Sequence, residues 1–183
     1  MEMLETNAYA VRSLLSAPPA PPRRFTPWPD DTGVGEWTEL LFSATGGPTW
    51  AGAFRRGLSR FSVIVPTPSA HHCCVIAEGQ PYLVDIPNPS QTLPLPVQPV
   101  IATQHHPEIL VLVSHTTLVA VLPDARWWES TRLASDGIRA VTVSSDCITG
   151  EGWQAPSEEW EPFKLDARTG QIQTGVSNRC RLP

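Results

Sequence analysis

From Glu36 onward the chain is written as short apolar runs cut by Gly, Pro, Asn and Asp, and this punctuation limits it to strands and turns. The runs WTELLFSATGG (37–47), TWAGAF (49–54), LSRFSVIVP (58–66), HCCVIAEG (72–79), PYLVDIP (81–87), EILVLVS (108–114), TTLVAVLP (116–123), IRAVTVS (138–144), CITGEGW (147–153) and EPFKLD (161–166) have strand length and strand residues. Proline reinforces the limit. Its 20 positions in 183 residues are roughly twice the average usage of about 5%, and each removes a backbone donor and fixes φ, so long helices have little room. The pattern predicts an all-β protein of antiparallel hairpins.

The first thirty residues read differently. Leu4, Ala8, Val11, Leu14 and Leu15 fall at helical spacing, with Thr6 or Asn7 available as an N-cap, so a short amphipathic helix is predicted over 4–15. Ala17-Pro-Pro-Ala-Pro-Pro-Arg-Arg24 cannot continue it and favours an extended polyproline conformation. The expected organisation is a helix and Pro-rich arm over 1–30, followed by a single all-β domain over 31–183.

A repeat runs through the β region. VIAEGQPYLVDI-P (75–87) aligns with LVLVSHTTLVAVLP (110–123), so that Leu83-Val84 falls on Leu118-Val119; each copy is strand, short turn, strand, Pro-containing turn. A looser copy links CITGEGW (147–153) to PFKLDARTG (162–170), with Asp166 where Asp85 stood. Repeated small antiparallel sheets of about 40 residues point to a propeller-like stack. A two-sheet sandwich is the other architecture that fits.

A formal charge of −5 argues against a nucleic-acid binder, which normally presents a basic face, and favours a basic protein partner. The N-terminal residues show no basic segment leading into an apolar one, and no stretch approaches the ~18 apolar residues of a membrane span. The expectation is a cytoplasmic protein without membrane contact. Cys73, Cys74, Cys147 and Cys180 are then expected as reduced thiols, the adjacent pair Cys73-Cys74 being poorly placed to bridge.

Ser69-Ala-His-His-Cys-Cys-Val75 sets four potential metal ligands side by side. On a strand His72 and Cys74 face one side and His71 and Cys73 the other, so at most two could meet one ion, and the spacing is not that of a C-x₂-C site. His71, His72, His105, His106 and His115 are candidate ligands or acid-base groups only if loops gather them with Asp85 or Glu78, which would make a metal-dependent hydrolase. As polar residues at strand starts and turn tips they need no such role. No nucleophile elbow, H-E-x-x-H, phosphate loop or dinucleotide fingerprint occurs, so no catalytic residue is assigned and no cofactor is implied.

The densest constellation is Thr149-Gly-Glu-Gly-Trp-Gln-Ala-Pro-Ser-Glu-Glu-Trp-Glu-Pro162, where Glu151, Glu158, Glu159 and Glu161 interleave with Trp153 and Trp160 in what reads as an insertion between strands. Charge in a loop is ordinarily solvated surface. The sharper reading is a partner-binding loop in which tryptophans fill pockets and carboxylates steer a basic partner. Most of the seven tryptophans are expected in the core. Trp127-Trp128 cannot both be, if they lie on a strand, and Trp127 joins the candidate contact residues.

Residues 110–170 carry Ser114, Thr116, Leu118, Trp128, Arg132, Leu133, Asp136, Gly137, Gly150, Gly152, Trp153, Trp160, Pro162, Phe163, Asp166, Arg168, Thr169 and Gly170 in an order that resembles a family of small bacterial proteins sharing G-x-G-W…W-x-P-F-x-V-D-x-R-T-G. The D-A-R-T-G turn is also similar to the closing hairpin of quinoprotein-type propeller blades. The resemblance implies a bacterial β-fold and transfers no activity. Together these features lead to a non-enzymatic module of the immunity or inhibitor kind, binding a basic protein through the Trp-bearing acidic loop. The alternatives are the hydrolase above, or a carbohydrate or small-ligand binder using exposed tryptophans.

Overall fold

A computed structural model describes residues 3–14, 18, 20–28 and 35–173. The chain divides into two compact units, Met1–Pro99 and Val100–Pro183. The described residues form sixteen strands, arranged as two sheets in each unit.

In the first unit β1 (Leu4–Glu5), β2 (Tyr9–Ser13), β3 (Arg23–Phe25), β4 (Trp37–Ala44) and β5 (Thr49–Arg55) make a sheet in the order β1-β2-β4-β5-β3. All its pairings are antiparallel except β3 with β5. The second sheet is a meander of β6 (Val63–Pro66), β7 (His72–Ala77), β8 (Gln80–Asp85) and β9 (Leu93–Pro94). Its β7–β8 hairpin closes on Glu78-Gly79, both at positive φ (48° and 84°), as a two-residue turn matched to strand twist requires.

These two sheets share one core. Val11, Leu40, Phe42 and Phe54 from the first meet Cys73, Val75, Tyr82 and Val84 from the second, all eight fully buried. Phe42 stacks on its cross-strand neighbour Trp50 at 4.1 Å, and Phe54 contacts Phe25 at 5.0 Å and Tyr82 at 5.2 Å. The polar ends of the large rings are satisfied: the Tyr82 hydroxyl donates to the Arg55 carbonyl at 2.8 Å, and Trp50 Nε1 donates to the Ile86 carbonyl at 3.0 Å. Each such buried side chain contributes about 1.5–3 kcal/mol from area alone.

The N-terminal helix expected over 4–15 is absent from the described part of that stretch, which holds β1 and β2 as an antiparallel pair. Alternation overrides the helical spacing: Tyr9 and Val11 point into the core at 3% and 0% exposure while Arg12 lies in solvent. Thr6 does cap, but as a turn, its Oγ1 accepting the N–H groups of Ala8 and Tyr9 at 3.2 and 3.1 Å. Nor do the first thirty residues stand apart from the body, since β1, β2 and β3 are three of the first sheet's five strands. Leu15 of the predicted helix, Ser16, and residues 17 and 19 of the Pro-rich stretch lie outside the described residues.

The second unit holds a meander of β10 (Ala102–His106), β11 (Ile109–Val113), β12 (Leu118–Val121) and β13 (Trp127–Glu129), and a three-stranded meander of β14 (Ile138–Val143), β15 (Cys147–Gln154) and β16 (Glu159–Asp166). Ile109, Val111, Val113, Leu118 and Ala120 of the former meet Ile138, Ile148 and Leu165 of the latter in the unit's core.

The sequence repeat is real at this level. Its two clear copies are β7–β8 and β11–β12, the central hairpins of their sheets, and the looser copy is β15–β16. Asp85 and Asp166 each end the second strand and cap the turn that follows: Asp85 Oδ1 accepts from the Asn88 N–H at 2.9 Å, and Asp166 Oδ1 accepts from the N–H groups of Arg168 and Thr169 at 3.0 and 2.9 Å.

Candidate functional site

The acidic, Trp-bearing stretch is not a loop. Residues up to Gln154 belong to β15 and those from Glu159 to β16, leaving only 155–158 as the turn. Within the hairpin Trp153 lies directly opposite Trp160, with ring centroids 5.6 Å apart and planes at 61°. Both rings are half-buried.

Pleating then sorts the remaining residues. Ile148 and Leu165 face the core, and Glu161 and Glu159 share their side of the sheet by alternation. The outer side carries Thr149, Glu151, Trp153, Trp160, Pro162 and Lys164. The four carboxylates therefore do not form one surface with the tryptophans: only Glu151 lies on the Trp face, Glu158 sits in the turn at φ 55°, and Glu159 and Glu161 project on the opposite side.

Glu151 is also not available as bare negative charge. Arg139 on β14 donates from Nε to Glu151 Oε2 at 2.7 Å and lays its guanidinium over the Trp160 ring, 4.0 Å from the centroid. A bulge sets up this reach. The β14–β15 register shifts between Arg139 and Thr142, with Ala140 at φ 52°, and such a kink re-aims the neighbouring side chain. Sequence reading found the two tryptophans and Glu151 but missed Arg139, whose partnership depends on cross-strand register.

The edge beside this face is guarded. Lys164 and Asp166 direct their backbone groups outward, accepting from the Gln173 N–H and donating to the Gln171 carbonyl; by alternation Pro162 also points outward and presents no donor there. A partner strand gains little from adding to that edge.

Trp127 and Trp128 divide as alternation requires. Trp127 is 40% exposed, whereas Trp128 packs against the core and donates from Nε1 to the Ala167 carbonyl at 3.1 Å. The expectation that most tryptophans are core is corrected: five of the seven are half-buried and Trp28 and Trp127 are exposed. Leu, Val and Phe fill the interiors, and the indoles sit at their margins.

The histidines do not converge. In the second unit His105 and His106 end β10 and His115 lies in the β11–β12 turn, so the length of β11 separates them by on the order of 15 Å. In the first unit His71 is exposed, and His72 is held by Ser69 Oγ at 2.9 Å from Nδ1, with Asp85 Oδ2 3.7 Å from Nε2. Ser69, His72 and Asp85 are the residue types of a hydrolytic triad. However, Ser69 and His72 belong to one turn, closed by the His72 N–H on the Ser69 carbonyl, and 3.7 Å is too long for the hydrogen bond that would orient the ring. Among the described residues no three His, Cys, Asp or Glu side chains come together to hold a metal.

Cys73 and Cys74 are fully buried free thiols, and burial raises both, Cys74 to about 12, so neither is a nucleophile at neutral pH. Cys147 is disulfide-bonded, which corrects its reading as a reduced thiol. Among the described residues no helix is long and apolar enough to cross a membrane.

No protein-family model matches the chain, and no curated protein matches it. Among solved structures it is similar to the N-terminal domain of Nup159, with 10% sequence identity and a TM-score of 0.39, over 94% of this chain and 51% of that one. The chain thus spans about half the length of that structure. A likeness at this level bears on neither activity nor partner.

Proposed function

We propose that the protein is a non-enzymatic, protein-binding module of the immunity or inhibitor kind, and that the outer face of the β14–β16 sheet is its docking surface. The observation that carries this reading is the half-buried Trp153–Trp160 pair, braced by Arg139 and set beside an edge that Pro162 closes to strand addition. Rigid aromatic groups of this kind dominate interface energetics because they desolvate a large area at small entropic cost. Glu158, Glu159 and Glu161 supply the negative field that favours a basic partner, acting on the rate of encounter more than on the final contact.

The test is an affinity capture from native lysate at low and high salt, with wild type, Trp153→Ala/Trp160→Ala and Glu158→Gln/Glu159→Gln/Glu161→Gln forms. Circular dichroism establishes that each variant is folded. One basic protein should be retained by wild type, lost from the tryptophan variant, and retained by the glutamine variant with a weaker dependence on salt. Equal retention by the folded tryptophan variant sinks the assignment of the surface.

A further inference from the structure

A meander sends alternate turns to opposite ends of its sheets, and this places a second feature of the second unit far from the Trp153–Trp160 hairpin. The β11–β12 turn lies at the hairpin's end, where the His115 carbonyl accepts the Gly137 N–H at 2.9 Å and Gly137 in turn accepts the Trp153 N–H at 3.0 Å. The β10–β11, β12–β13 and β14–β15 turns, and the Asp166–Gly170 turn after β16, fall at the other end. They enclose a cleft of about 510 Å³ whose apolar lining includes Ile109, Leu122 and Ala167 and whose charged lining is Glu108, Asp124, Arg126 and Arg168, with Ser145 beside them. That volume lies within the range of small-molecule sites.

The cleft is chemically two-sided. Ile109 and Ala167 are buried core residues and Leu122 packs against the same core, so they form an apolar floor. At the rim Arg126 is already paired with Asp124 through its Nε. Arg168 is exposed and has no ion-pair partner among the described residues. The one carboxylate in its own turn, Asp166, accepts at Oδ1 from the Arg168 N–H, the Thr169 N–H and the Thr169 hydroxyl at 3.0, 2.9 and 2.9 Å, and it feels the Arg168 charge without forming an ion pair with it.

The turn that carries Arg168 is fixed before any ligand arrives. Gly170 takes φ +70°, and the Trp128 ring lies so close to its Cα that a Cβ would run into it. Trp128 Nε1 also holds the Ala167 carbonyl. A turn already fixed in this way limits the ordering cost of binding to the Arg168 side chain itself, beside an apolar floor and Ser145.

We infer that this cleft binds a small organic carboxylate, its apolar body on Ile109, Leu122 and Ala167 and its carboxylate on Arg168 and Ser145. Phenylbutyrate is the probe, with neutral phenylbutyramide as its match in shape, each titrated into the intact protein and followed by amide NMR. Phenylbutyrate should shift the Leu122–Arg126 and Arg168–Gly170 amides saturably, and bind about tenfold more tightly than the amide. Arg168→Gln, an exposed change that the fold tolerates, should remove that preference, while Arg168→Lys should keep part of it. No saturable shift at these amides, equal affinity for the two probes, or an unchanged preference in Arg168→Gln overturns the inference. The Trp153→Ala/Trp160→Ala form should bind phenylbutyrate as wild type does, so failure of the protein-docking surface and failure of this cleft are read separately.

Discussion

Trp160 is held from two sides, its ring meeting Trp153 across the β15–β16 hairpin at 5.6 Å and Arg139 from β14 at 4.0 Å. The second contact also brings Arg139 onto Glu151. What looks from sequence like an acidic loop is thus a braced sheet face in which one carboxylate is already neutralised.

The two indoles should therefore be energetically coupled. In a double-mutant cycle by urea denaturation, Trp153→Ala and Trp160→Ala should show an interaction of about 0.5–1.5 kcal/mol. Trp160→Ala should be the more damaging single change because it also removes the ring under Arg139. A coupling indistinguishable from zero would mean the rings are only neighbours.

Gly170 and Gly46 separate backbone strain from collision. Both have nearly the same positive φ, +70° and +71°, but a Cβ at Gly46 meets nothing within 4 Å while one at Gly170 meets the Trp128 ring. Gly46→Ala should lose about 1–2 kcal/mol from conformation alone, and Gly170→Ala should lose clearly more. Urea midpoints measured side by side decide this, and equal losses would remove Trp128 from the account.

His72 should make stability rise with pH across the mildly acidic range. Burial lowers its pKa below the ordinary value of 6.5, with Asp85 opposing and His71 assisting. The unfolded chain therefore binds the proton first as pH falls below 6.5, and stability is lost progressively until the folded state's own lower pKa is passed, below which the full loss remains. His72→Gln should flatten this slope in denaturation curves taken on either side of pH 6.5, and an unaltered slope would assign it to other groups.

Cys73 and Cys74 should resist thiol reagents in the native protein. Both are fully buried, and burial pushes the Cys74 thiol to about 12. Labelling with iodoacetamide should be negligible at neutral pH and become complete in denaturant, as peptide mapping would show. Rapid native labelling at either position would mean that β7 opens locally.

Much of the architecture is legible in local pattern. The continuous apolar runs at 109–113 and 118–121 mark strands buried throughout, and the repeat they share with 75–87 identifies the central hairpins of two sheets. The N-terminal stretch misled because five residues from Tyr9 to Ser13 are too few for period two to outweigh an accidental helical spacing; pairing with β4 settles the matter. Strands β9 and β13 are short, two and three residues, and exist because a neighbouring strand supplies their hydrogen bonds.

The candidate surface divides in the same way. Sequence by itself determined an all-β chain of hairpins, the position of the strongest repeat, and the Trp153, Trp160 and Glu151 cluster, because these depend on residue type and spacing along one strand. Only tertiary structure decided that Trp153 faces Trp160, that Arg139 lies between Trp160 and Glu151, that Glu159 and Glu161 turn away, and that His105 and His115 lie at opposite ends of one strand. Those relationships are set by register, and a one-residue slip between strands would reverse each face while leaving the sequence pattern unchanged.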